Sequence, residues 1–170
     1  MTFFLIRAML LAAWMAVPVS LAAKDKKKDP EAIGSRDVGK GVNLYSIERE
    51  IAWGRQLAQE VDRQTRFVED PLLAEYINRL GQNLARHSDA RMPVSIKLID
   101  AGDINGFALP GGHCFLHAGV LAFSQNEAEL AGVLAHEVAH VAARHGTRQA
   151  SRETLIRYAS LSSILLGGWG

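Results

Sequence analysis

Apolar residues recur along this chain at two different periods, and the change of period divides it into elements. Ile47, Ile51, Ala58 and Val61 fall at helical spacing behind Ser46, a good N-terminal cap, and predict a helix over 44–66. Asp70-Pro71 opens a second helix, with Pro71 at its first position. Leu73, Ile77, Leu80 and Leu84 form its stripe, which ends near His87, where an imidazole suits the negative end of the helix. Both stripes read as core. The period then drops to two. Val94-Ser95-Ile96-Lys97-Leu98-Ile99 alternates as a half-buried strand, and Asp100-Ala101-Gly102-Asp103 reads as a turn. Residues 104–109 (INGFAL) form a second extended run, Pro110-Gly111-Gly112 a tight reversal, and 113–117 (HCFLH) a third strand. Gly119-Val120-Leu121 leads into the last strongly patterned stretch. Helices and a small sheet in this order predict a single α+β domain.

That last stretch, 126–146, reads NEAELAGVLAHEVAHVAARHG. Its Ala, Leu, Glu and Val content favours helix throughout. Asn126 or Ser124 caps the start, Glu127 and Glu129 suit the positive end of the dipole, and His145-Gly146 fits the other end. The flanks are almost wholly apolar, which predicts a buried helix whose polar groups need a partner. Within it stands His136-Glu137-Val138-Ala139-His140, an HExxH sequence. Residues four apart share one helix face, so His136 and His140 can reach a single zinc ion while Glu137 takes a proton from a metal-bound water. Solvent-facing His and Glu would be the alternative, and the apolar flanks argue against it. His145 lies five residues after His140, about 140° round a continuous helix, and is expected to point elsewhere.

Beyond Gly146 an apolar stretch at 154–166 is too short to span a bilayer comfortably and reads as a helix in need of a packing partner. A catalytic zinc site uses three protein ligands and a water. Glu153 is the one carboxylate after His140; it is either a third ligand or a surface residue, and its place so soon after the turn favours the surface. A third ligand is therefore expected beyond the sequence given, in a longer peptidase.

Composition changes this picture little. The chain has 170 residues, 22% of them charged, and a formal net charge of +1, with no bias toward nucleic acid and no basic stripe with interleaved aromatics. The N-terminus does add an address. Arg7, the apolar run from Ala8 to Val17, Pro18, and small residues at Ser20 and Ala22 have the three-part layout of a secretory signal peptide, 1–22. Residues 23–43 follow as a flexible charged leader, and 44–170 as the peptidase domain. Lys24, Lys26, Lys27 and Lys28 are a candidate peripheral contact with anionic lipid headgroups, or are simply solvated, since Asp25 and Asp29 interrupt them. The single cysteine, Cys114, allows no intrachain disulfide and reads as a buried strand thiol.

The signal peptide, INGFALPGGHCFLHAGVL, NEAELAGVLAHEVAHVAARHG and the Arg-Gln that follows together resemble the HtpX and prenyl-protease type of zinc metallopeptidase, in its soluble periplasmic branch. The resemblance covers most of 45–146. It implies a zincin-like (gluzincin) fold holding one Zn2+ per chain, with His136 and His140 as ligands, Glu137 as general base and a Glu on a later helix as third ligand. It also implies polypeptide substrates, periplasmic quality control of envelope or outer-membrane proteins, and contact with the outer-membrane assembly machinery. In the family, a strand like Asn105-Gly106-Phe107-Ala108-Leu109-Pro110-Gly111-Gly112 lies beside the cleft, with Gly106 here where Ala is usual. That makes Asn105, Phe107, Ala108, Leu109, Gly111 and Gly112 candidate substrate-binding residues; an ordinary hairpin with a Gly-rich turn is the plainer reading. A non-catalytic, chaperone-like binding module on the same fold is the alternative function.

Overall fold

The computed structural model describes residues 28–166, with side chains as far as Arg157. The signal peptide and Lys24, Lys26 and Lys27 lie outside the described residues. Among the described residues, five α-helices and a three-stranded sheet give an α+β arrangement, as the periodicities predict. Helix α1 spans Ile47–Gln64, with the Ser46 hydroxyl accepting from the Arg49 amide. Helix α2 spans Pro71–Arg86, and Asp70 Oδ1 accepts from the amides of Leu72 and Leu73. His87 closes it, with its Nδ1 2.8 Å from the Asn83 carbonyl oxygen.

Strands β1 (Ser95–Ile99), β2 (Gly106–Leu109) and β3 (His113–His117) form one sheet in the order β1-β3-β2. The final strand thus inserts between the first two, parallel to β1 and antiparallel to β2. Strand alternation sorts the side chains between two clusters. Ile96 and Leu98 of β1, Ala108 of β2, and Cys114 and Leu116 of β3 face the larger one, completed by Ile77, Leu134, Val138 and Val141. Ile99, Phe107, Leu109 and Phe115 face a smaller cluster under Ala58 and Val61 of α1, where Phe107 stacks on Phe115 with ring centroids 5.1 Å apart. Burying a side chain such as Leu134 or Phe115 contributes about 1.5–3 kcal/mol.

Gly119-Val120-Leu121 is not a simple lead-in but part of a short helix of its own, α3 (Ala118–Phe123). The next helix, α4 (Glu127–Ala142), is capped by Asn126 Oδ1, which accepts from the Glu129 amide, while Glu129 accepts from the Gln125 amide. It stops four residues before Gly146. Arg144 takes up the left-handed conformation (φ 53°), and α5 (His145–Leu166) starts at once. His145-Gly146 therefore opens a helix instead of closing one. The apolar flanks of α4 predict a buried helix, whereas Ala135, His136 and Ala139 are exposed and Leu130, Leu134, Glu137, Val138 and Val141 are buried. Among the described residues no helix is long and apolar enough to cross a membrane.

Part of the stretch read as a flexible leader lies against the domain. The buried carboxylate of Asp89 accepts from the amides of Gly34 and Arg36, and the Arg36 guanidinium lies 2.7 Å from it. Arg91 pairs with Asp37 at 3.3 Å. A buried acid gathers three donors here, and that ties the segment down.

Candidate active site

The face of the sheet that carries Gly106, Ala108, Cys114 and Leu116 packs against α4, so β2 runs beside the helix that holds the HExxH sequence. On α4, Nε2 of His136 and Nε2 of His140 lie 3.1 Å apart, with the rings edge to face. Two imidazole nitrogens bound to one zinc at about 2.0–2.1 Å, at a tetrahedral angle, would be about 3.3–3.4 Å apart. The pair therefore suits one such ion between them with little movement. Among the described residues no group of three or more His, Cys, Asp or Glu side chains is placed to hold a metal. Glu153 is exposed on α5, where its Oε1 accepts from Gln149 at 3.2 Å.

Glu137 is buried, and its carboxylate is turned toward β2. A methyl group at position 106 would stand 3.4 Å from Glu137 Oε1 and 3.2 Å from Leu116 Cδ1, so the glycine leaves a small space beside the acid. Cys114, buried on β3 as expected, has its thiol pushed up to about 12 by burial and by the Glu137 carboxylate. It stays a neutral thiol.

His145 departs most from expectation. The chain turns at Arg144, so position 145 does not continue the α4 spiral, and His145 Nδ1 comes within 2.7 Å of His140 Nδ1. Burial, the neighbouring His140 and His136, and Arg148 hold its pKa below the usual histidine value. The turn has a buried cause. Glu50, 1% exposed on the inner face of α1, accepts from Arg144 Nε at 2.6 Å and from the Thr147 hydroxyl at 2.9 Å, while Arg144 also donates to the Tyr45 carbonyl at 2.8 Å. His145-Gly146 signals a helix end, but nothing places the break as early as Arg144, because Ala143 and Arg144 are good helix formers. The available signal was Glu50 itself, a carboxylate within the apolar stripe of α1 that had to have a partner.

The candidate substrate residues divide by face. Ala108 joins His140, His145, Gly146, Arg148, Gln149 and Arg152 in lining an open cleft of about 610 Å³. Phe107 and Leu109 point to the opposite side, into the smaller cluster. Asn105 Oδ1 accepts from the next amide, and its carbonyl accepts from the His117 amide. Gly111 and Gly112 (φ 80° and 87°) form a buried turn; a Cβ on Gly112 would come within 2.0 Å of the Pro93 carbonyl oxygen. The outer edge of β2 pairs with no other strand of the described residues. Because Asn105 and His117 form a hydrogen-bonded pair, ladder alternation turns the amides and carbonyls of Gly106 and Ala108 toward that open edge.

The chain is 33% identical to the beta-barrel assembly-enhancing protease of Yersinia pestis over 168 residues, which is 95% of this chain and 35% of that protein. It is 37% identical over 129 residues to the protein of the same name from Escherichia coli K12, covering 73% of this chain and 26% of that one. It also resembles the mitochondrial metalloendopeptidase OMA1 of Bos taurus, at 26% identity over 141 residues, 74% of this chain and 26% of the relative. The chain thus spans about a third or less of the relatives it matches. The sequence profile of peptidase family M48 matches residues 71–170, which take in β2, the HExxH helix and α5. With the paired histidines, the buried acid between them and the open strand beside them, the match leaves one assignment: the chain belongs to peptidase family M48.

Proposed function

We propose that this protein is a zinc-dependent metalloendopeptidase of the gluzincin kind, exported to the periplasm through the 1–22 segment and acting on unfolded or misassembled envelope and outer-membrane proteins. The observation that carries this reading is the 3.1 Å approach of His136 Nε2 to His140 Nε2 beside the buried Glu137. The two histidines supply two of the ligands to one Zn2+ per chain. When bound, the ion supplies a Lewis acid that acidifies water and polarises a carbonyl. Glu137 takes the proton from the attacking water and passes it to the amide nitrogen as the C–N bond breaks. The edge of β2 holds the substrate as an added strand through the main chain of Gly106 and Ala108, and Ala108 marks where that strand borders the cleft. A substrate held by main-chain pairing must be extended, which fits an unfolded polypeptide better than a folded one. The names of the bacterial relatives, beta-barrel assembly-enhancing protease, support the outer-membrane assignment and contact with its assembly machinery.

The test uses the full-length protein and an unfolded polypeptide. Chelation should abolish cleavage and added zinc restore it. Glu137→Gln should keep its zinc and lose about 10²–10⁴-fold in turnover, the usual worth of a positioned base. Cleavage by Glu137→Gln at the wild-type rate would remove the assignment. If the wild type never cleaves but still holds unfolded chains in solution after chelation, the binding-module reading replaces it.

A further inference from the structure

His140 uses both of its ring nitrogens, on opposite sides. Its Nε2 faces His136, and its Nδ1 faces Nδ1 of His145 at 2.7 Å. Resting on the metallopeptidase reading above, we propose that His145 is a positioning residue for the metal site: it accepts the Nδ1–H of His140 and so fixes the tautomer and ring orientation in which His140 offers Nε2 to the cation.

The chemistry follows from the two nitrogens. A neutral imidazole that gives the Nε2 lone pair to a metal carries its proton on Nδ1 and needs an acceptor there. Carboxylates, backbone carbonyls and waters commonly fill this role in metal sites, and the acceptor makes the ligand more basic. Here Nδ1 of His145 stands in that position, with its own proton on Nε2. The same geometry keeps His145 from being a ligand of that ion, because it sits behind His140 and not on the Nε2 side.

His145 is held by the backbone on both sides of it. Arg144, in the left-handed conformation, is tied to Glu50 and to the Tyr45 carbonyl. Thr147, wholly buried, bonds the same Glu50 oxygen at 2.9 Å. The first turn of α5 is thereby anchored on α1, and the imidazole at its start is aimed before any metal arrives. The buried Glu50 thus acts on the metal site at two removes, through a backbone turn and a second histidine.

His145→Asn and His145→Leu test this in the full-length protein. The two side chains have nearly the same shape, and only Asn carries an acceptor. Zinc affinity would be read by competition with a chromogenic chelator, and ligand geometry by the visible absorption of the cobalt-substituted protein. His145→Leu should bind zinc about 10–100-fold more weakly and change the cobalt bands. His145→Asn should recover most of the affinity and a near-native spectrum. Metal-free melting temperatures should match that of the wild type, since His145 is exposed. Equal affinities for the Leu and Asn variants, whether both native or both weakened, would overturn the proposal. A wild type that holds no zinc would instead remove the metallopeptidase reading, and this one with it.

Discussion

Glu50 on α1 and Arg144 between α4 and α5 are 94 residues apart in sequence and 2.6 Å apart in space. Their side chains are 17% exposed for Arg144 and 2% for Glu50, so water can reach the arginine but not the carboxylate. Removing one partner of a buried pair typically costs about 3–5 kcal/mol, because the charge left behind stays desolvated. Arg144→Ala should lower stability by about that amount in denaturant titrations. Glu50→Gln should cost less, since its amide still bonds Thr147 and leaves no buried anion. Equal losses for the two variants would show that burial of the carboxylate is not the controlling cost.

Gly54 of α1 meets the Pro110 carbonyl at the start of the β2–β3 turn. A Cβ at position 54 would lie 1.8 Å from that oxygen, a backbone atom with no rotamer to change. Gly54→Ala should therefore cost about 3 kcal/mol or more, at the upper end for overpacking, although alanine is the better helix former. Gly132→Ala on α4, where a Cβ meets nothing within 4 Å, is the control and should raise the melting temperature slightly.

These contacts mark what the sequence could and could not tell. Periodicity located α1, α2, the three strands and the HExxH helix because each depends on local spacing, and Ser46, Asp70 and Asn126 cap where they are expected. The approach of His136 to His140 was legible for the same reason, since i and i+4 share one helix face. The insertion of β3 between β1 and β2 was not legible, because strand order depends on pairings between distant residues. Nor was the place of His145, which rests on a left-handed arginine paired with a glutamate on another helix.

Asp89 gives the fold an acid-sensitive point. Burial alone would raise its pKa, but the hydrogen bonds and charge of Arg36 outweigh this, and the folded-state value lies below the ordinary 3.8. A depressed carboxyl contributes stability that is complete above its unfolded value and is lost as pH falls through the folded one. The melting-temperature gap between wild type and Asp89→Asn should thus be widest near neutrality and shrink as pH falls below about 3.8. A gap that stays constant from pH 7 to pH 2 would show that the ionised carboxylate is not what holds residues 34–36 to the domain.

The open edge of β2 can be tested without touching the zinc ligands or the base. The Ala108 amide points away from β3, so proline there removes a donor that the native sheet does not use. An extended substrate pairing along this edge would lose one main-chain hydrogen bond and meet the proline ring. Ala108→Pro should raise KM about tenfold or more, the worth of a bond to a partner left unsatisfied, with zinc content unchanged. Ala108→Ser, which keeps the amide, should behave as wild type. If Ala108→Pro kept its fold and cleaved with an unaltered KM, the substrate would have to enter by another route, along the α5 side lined by Arg148 and Arg152.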